Sequence, residues 1–110
     1  MSRAMKKSLV LAAILSISLP VAAASGDAEA GKKKSTPCAA CHGANGVSAS
    51  PDFPNIAGQY PDYIERALNH YKNGKRKNPI MAAQVQNLTQ KDMLDLAAYF
   101  SHQKALVVKH

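Results

Sequence analysis

The sequence predicts an all-α fold, and three observations carry that expectation. No run alternates apolar and polar residues with period two over a useful length. Two segments place apolar residues at i, i+3, i+4 and i+7: Ile64, Ala67, Leu68 and Tyr71, then Met93, Leu96, Ala97 and Phe100. Helix-end residues sit where those segments begin and stop. With 110 residues the chain is one small domain, too short for a multidomain enzyme or a polytopic membrane protein. Two cysteines exclude a disulfide-rich scaffold.

Taken in order, residues 1–24 read as a cleaved secretory leader. Arg3, Lys6 and Lys7 form its positive start, Leu9–Leu19 is an apolar run of eleven residues, and Pro20 breaks it. Ala22-Ala23-Ala24 then offers a small-x-small cleavage site. An uncleaved anchor helix is the competing reading. It needs about 20 apolar residues, and Leu9–Ala24 supplies sixteen with a proline inside. Cleavage leaves one domain, residues 25–110, with 11 basic against 7 acidic residues, a balance of +4. Export points to the periplasm, and the mature chain is not expected to span a membrane.

Asp27–Lys34 suits a short helix, with acids in its first turn and lysines in its last. Pro37 is expected to stop, shorten or kink it. Residues 43–60, rich in Gly, Pro, Ser and Asn, show no periodicity. A structureless loop of that length in so small a domain is expected to wrap something. Pro61 opens the amphipathic helix, which Gly74 ends. Asn78-Pro79 reads as an N-cap with proline in the first helical position, starting a short helix towards Gln86. Thr89 and Asp92 resemble a capping box for the last helix, although the box prefers Glu or Gln in the Asp92 position. Leu94 flanks that helix's buried stripe.

The sharpest signal is Cys38-Ala39-Ala40-Cys41-His42, the C-x-x-C-H pattern of c-type haem attachment. Two thiols three residues apart on a helical turn reach the two vinyl groups on one side of a porphyrin. His42 then lies under the iron as proximal ligand. A disulfide between Cys38 and Cys41 would close only a very small loop, and a thioredoxin-like motif wants a βαβ context. A zinc site needs a fourth ligand, and His70, His102 and His110 lack the spacing for it. The core arithmetic agrees with haem: there is no Trp, and two Phe with four Tyr must fill the interior. Something other than side chains is expected to supply apolar volume.

A low-spin electron-transfer haem needs a second axial ligand, and methionine opposite histidine raises the reduction potential. Only Met81 and Met93 remain after the leader. Met93 belongs to an apolar helix stripe, where methionine is ordinary core filler. Met81 stands at a loop-to-helix junction and is the expected distal ligand. His70 is its rival, but it falls off the apolar face of its helix and reads as a surface histidine.

These residues resemble the class I single-haem cytochromes c, in particular one haem domain of the cytochrome c4 group and its c5/c553-type relatives. The motifs that carry the resemblance are CAACHGANG at 38–46, FPNIAGQ at 53–59, GKRKNPIM at 74–81 and DMLDLAAYF at 92–100. It implies four to five short helices around one haem c held by thioethers from Cys38 and Cys41, with His42 proximal and Met81 distal. It also implies that the Pro54 carbonyl accepts a hydrogen bond from the His42 ring, and that Gly31 and Tyr99 lie where the first and last helices cross. Arg76 matches a cation near the haem propionates; Gln59 and Asn78 match polar contacts at the haem edge. Pro37 and the presence of a single C-x-x-C-H are departures from the two-haem c4 pattern.

The implied function is a periplasmic electron carrier rather than an enzyme. A haem enzyme or gas-binding sensor with an open sixth site is the alternative, as is an electron-transfer subunit of a larger redox complex. Lys72, Lys75, Arg76 and Lys77 cluster near Met81, and Lys32, Lys33 and Lys34 form a second run. Solvation is the default account of either run, but the first is placed to steer a redox donor or acceptor with an acidic docking surface. Nucleic acid is not expected as a partner, since no aromatic residues interleave with the basic ones.

Overall fold

The computed structural model describes residues 12–16 and 25–105. Most of the expected leader, residues 1–11 and 17–24, and residues 106–110 lie outside the described residues; 12–16 carry no regular structure. The described chain holds five helices and no strand: α1 Ala28–Lys34, α2 Thr36–His42, α3 Pro61–Asn73, α4 Pro79–Val85 and α5 Gln90–Ser101.

Each helix starts and stops for a reason visible in its end residues. Asp27 lies just outside α1 and caps it, its carboxylate accepting from the N–H groups of Glu29 and Ala30. Pro37 takes a first-turn position of α2, where its missing N–H costs nothing. The proline therefore splits the region into two short helices joined at Ser35 instead of kinking one longer helix. The Asn78 side chain accepts from Ile80 and Met81 N–H at the start of α4, which ends at Val85 with Gln86 as its cap. Thr89 and Asp92 form both halves of the capping box on α5, the shorter aspartate doing what glutamate usually does. Gly74 closes α3 with φ at 82°, a left-handed conformation that favours glycine.

The core sits between α3 and α5, where Ile64, Leu96, Ala97, Tyr99 and Phe100 cluster. All four residues of the expected α5 stripe are buried; Leu94 is half-buried. Burial reaches further round α5 than an amphipathic stripe requires and takes in Asp95, Ala98 and Tyr99. The reason is that α1 crosses α5 on its other side. A Cβ on Gly31 would come within 2.0 Å of the Asp95 carbonyl oxygen and 2.8 Å of the Tyr99 Cβ, so only glycine permits that approach.

The loop of residues 43–60 is tied to this frame rather than free. Tyr99 Oη donates to the Ala44 carbonyl at 2.7 Å, and Gly58 N–H donates to the Phe100 carbonyl at 2.9 Å. Inside the loop, the Gly46 carbonyl accepts from both Ile56 and Ala57 N–H, folding the segment back on itself.

The α1–α5 crossing also holds a cluster of four charged side chains, Lys34, Lys91, Asp92 and Asp95. Asp95 has no solvent exposure. It accepts from the Asp27 backbone N–H at 2.8 Å, from Lys34 Nζ at 2.6 Å and from Lys91 Nζ at 2.7 Å. Lys34 also reaches Asp92 at 2.8 Å. The Asp27 N–H, then Lys34 and Lys91, hold the Asp95 carboxyl far below the ordinary carboxylate range. Lys34 above all, with the Thr89 N–H, holds Asp92 at about 2. Three charge-assisted bonds on one buried carboxylate offset its desolvation and pin the N-terminal helix to the C-terminal one.

Candidate functional site: a cavity fitted for haem c

A cavity of about 490 Å³ opens between α2, α3, α4 and the 43–60 loop. Ile64, Leu68, Leu96 and Phe100 form its apolar inner wall. Cys38, Cys41 and His42 line it from α2, and Met81 lines it from α4. Residues separated by some forty positions, and expected from sequence to share one site, thus face one space. Both cysteines are free thiols and half-buried. Burial pushes the Cys38 thiol above its ordinary pKa.

The histidine is oriented as the chemistry requires. Its Nδ1 lies 2.8 Å from the Pro54 carbonyl oxygen, which can only accept, so Nδ1 carries the proton. That leaves the Nε2 lone pair for a metal, and the bond fixes ring orientation and raises ligand basicity. The Pro54 contact implied by the family resemblance is present. On α4 the Asn78 cap bonds the backbone N–H of Met81 itself at 3.1 Å, so the turn that carries the thioether is fixed.

The other candidates separate cleanly. Met93 is buried in the core and does not line the cavity. His70 lies instead in a shallow polar groove on α3 with Asp62, Glu65, Arg66, Asn69 and Asn73. Gln59, Asn78 and Arg76 all line the cavity. Gln59 accepts from the Tyr60 N–H, and Asn78 spends its side-chain oxygen on the α4 cap. The Arg76 guanidinium lies 4.9 Å from the Tyr71 ring centroid and donates to Tyr63 Oη at 3.4 Å. The Tyr63 bond is the largest cause holding the guanidinium pKa above its ordinary value.

Sequence reasoning missed two arrangements. Asp95 sits four residues after Lys91 within an otherwise apolar helix, a visible pairing signal that went unused. The Tyr63–Arg76–Tyr71 contact had no local signal, because it joins α3 to the turn beyond it.

Two thiols on one helical turn, an imidazole with its free nitrogen available, a thioether and apolar walls make a donor set that fits haem c. The fold and site therefore define a small all-helical protein built around a covalently attached haem. The chain belongs to the cytochrome c family, whose profile matches residues 28–104. It is 42% identical over 100 residues to cytochrome c4 of Pseudomonas aeruginosa, covering 90% of this chain and 50% of that protein. It is 40% identical over 82 residues to cytochrome c-554(548) of Halomonas halodenitrificans, covering 72% of this chain and 99% of that one. The crystal structure of reduced recombinant cytochrome c4 from Pseudomonas stutzeri superposes with a TM-score of 0.72 at 41% identity, over 76% of this chain and 48% of that chain. The chain spans about half the length of the cytochrome c4 relatives it matches. Its cofactor is covalently bound haem c.

Proposed function

We propose that the chain is an exported, periplasmic single-electron carrier in which Cys38 and Cys41 hold the haem and His42 and Met81 occupy both axial positions. Residues 1–24 are its cleaved leader and residues 25–110 its working domain. The observation that carries the reading is the single cavity shared by the C-x-x-C-H turn and Met81, with Met93 and His70 both outside it. Haem c, when bound, supplies a one-electron couple. The protein's part is to hold and tune it. Pro54 orients His42, Asn78 fixes the Met81 turn, and Ile64, Leu68, Leu96 and Phe100 keep water from the inner face. With both axial positions taken there is no place for a substrate, which makes the chain a carrier and not an enzyme.

Arg76 is placed to meet the haem propionates, being the one lysine or arginine among the described residues that line the cavity. Lys75 and Lys77 flank it and are exposed. They give the cavity mouth a positive rim suited to donors and acceptors with acidic surfaces, whose association would weaken as salt rises. Among the described residues no helix is long and apolar enough to cross a membrane.

The test is carbon monoxide binding to the reduced, haem-loaded protein. The wild type should not bind it, whereas Met81→Ala should keep its haem and bind the gas readily. Rapid binding by the wild type would instead favour the open-site sensor or enzyme class.

A further inference from the structure

Arg76 is held more firmly than an arginine on an exposed turn needs to be. Its backbone N–H donates to the His70 carbonyl at 3.0 Å, which folds the turn after α3 back on that helix. Its guanidinium then lies over Tyr71 and bonds Tyr63. Both tyrosines line the cavity, as Arg76 does, and all three leave part of their surface to solvent. An unrestrained arginine side chain loses rotamer entropy on being fixed. Here the two rings and the turn have restricted it in advance. Among the described residues Tyr63 is the one geometric hydrogen-bond partner of the five-donor guanidinium, which leaves donors to meet an anion.

We propose that Tyr63 and Tyr71 are positioning residues that hold the Arg76 guanidinium at the cavity rim, fixing a cation against the anionic edge of the haem and so setting its reduction potential. The inference rests on the haem reading above and extends it to two residues that contribute no ligand. A fixed positive charge beside the haem favours the ferrous state, which carries one positive charge fewer than the ferric. Loosening that charge lowers the midpoint potential. The tyrosines act through Arg76, so their effect must disappear once the cation is gone.

The experiment is a spectroelectrochemical titration of the haem-loaded full chain at fixed pH and ionic strength. Arg76→Gln should lower the midpoint potential. Tyr63→Phe, which keeps the ring and removes only the hydroxyl, should lower it by a smaller amount, and Tyr71→Leu should do the same. Tyr63→Phe added to Arg76→Gln should produce no further shift. A Tyr63→Phe protein with wild-type potential would overturn the proposal, and so would a Tyr63→Phe shift that adds in full to that of Arg76→Gln. The long-wavelength methionine-to-iron band, read on the same samples, separates the two claims. Its presence without any Tyr63 effect sinks only this inference; its absence from the wild type sinks the His42/Met81 assignment instead.

Discussion

The two sides of α5 are finished in different ways. Against α1 the packing is made by side chains and backbone together: Gly31 admits close contact with Asp95 and Tyr99, and the Asp95 carboxylate has all its charge answered. Against α3, Leu96 and Phe100 pack with Ile64 and also line the cavity. The first side is made of protein alone, and the second reaches native density only with a prosthetic group in place. Attachment chemistry is therefore also folding chemistry here, since binding to the folded state stabilises it by mass action. The terminal helices form the clamp, and the haem forms the rest of the core.

That contrast can be broken from the cavity side first. Cys38→Ala combined with Cys41→Ala should abolish stable haem binding and leave the α3–α4 region without its packing partner. Absorption at the Soret band and thermal unfolding should both show the loss; a double variant that kept a stoichiometric, wash-resistant haem would refute it. Gly31→Ala attacks the other side. The added methyl meets the Asp95 backbone, which cannot rotate away, so the cost should be about 3 kcal/mol of stability. The surviving folded fraction should keep a wild-type haem spectrum, because the crossing does not line the cavity.

Asp95→Asn probes the same crossing more gently and should cost on the order of 2 kcal/mol in denaturant unfolding. It also carries a pH signature. The Asp92 and Asp95 carboxyls are both held below the ordinary carboxylate range in the folded protein. A depressed carboxylate stabilises the fold fully above its unfolded pKa and loses that contribution as pH falls through the folded one. Wild-type stability should thus be flat from these groups above about pH 5 and decline towards about pH 2, with part of that decline missing in Asp95→Asn. A smaller effect is expected at Asn78→Ala, about 1 kcal/mol for a lost helix cap. Because that cap bonds the Met81 N–H, this variant should also weaken the methionine ligation signal, which the Asp95 variant should leave unchanged.

How much of this was legible in the sequence follows the same division. The helices, the loop of residues 43–60 and the α5 stripe were readable because end residues and apolar periodicity are local signals. The cavity was foreshadowed by its chemistry: a contiguous C-x-x-C-H and a methionine at a helix start identify themselves without tertiary context. The Pro54 contact and the Gly31–Tyr99 crossing came from family resemblance, since nothing local marks a carbonyl acceptor or a close approach. The Asp95 cluster escaped because its ligands come from three stretches of chain, at Asp27, Lys34 and Lys91. Only the Lys91 pairing is local, at i and i+4; nothing near Asp95 in the sequence points to Asp27 or Lys34. Lys34 was read as part of a solvated run, yet it is committed to Asp92 and Asp95. The rim clamp on Arg76 was equally silent for the same reason.

The central claim, that His42 and Met81 jointly hold the haem, is met most directly by the visible spectrum of the oxidised protein expressed with a cytochrome c maturation system. The expected result is a weak long-wavelength methionine-to-iron charge-transfer band that Met81→Ala removes while the haem stays attached. An attached haem without that band in the wild type, or a band that survives Met81→Ala, would contradict it.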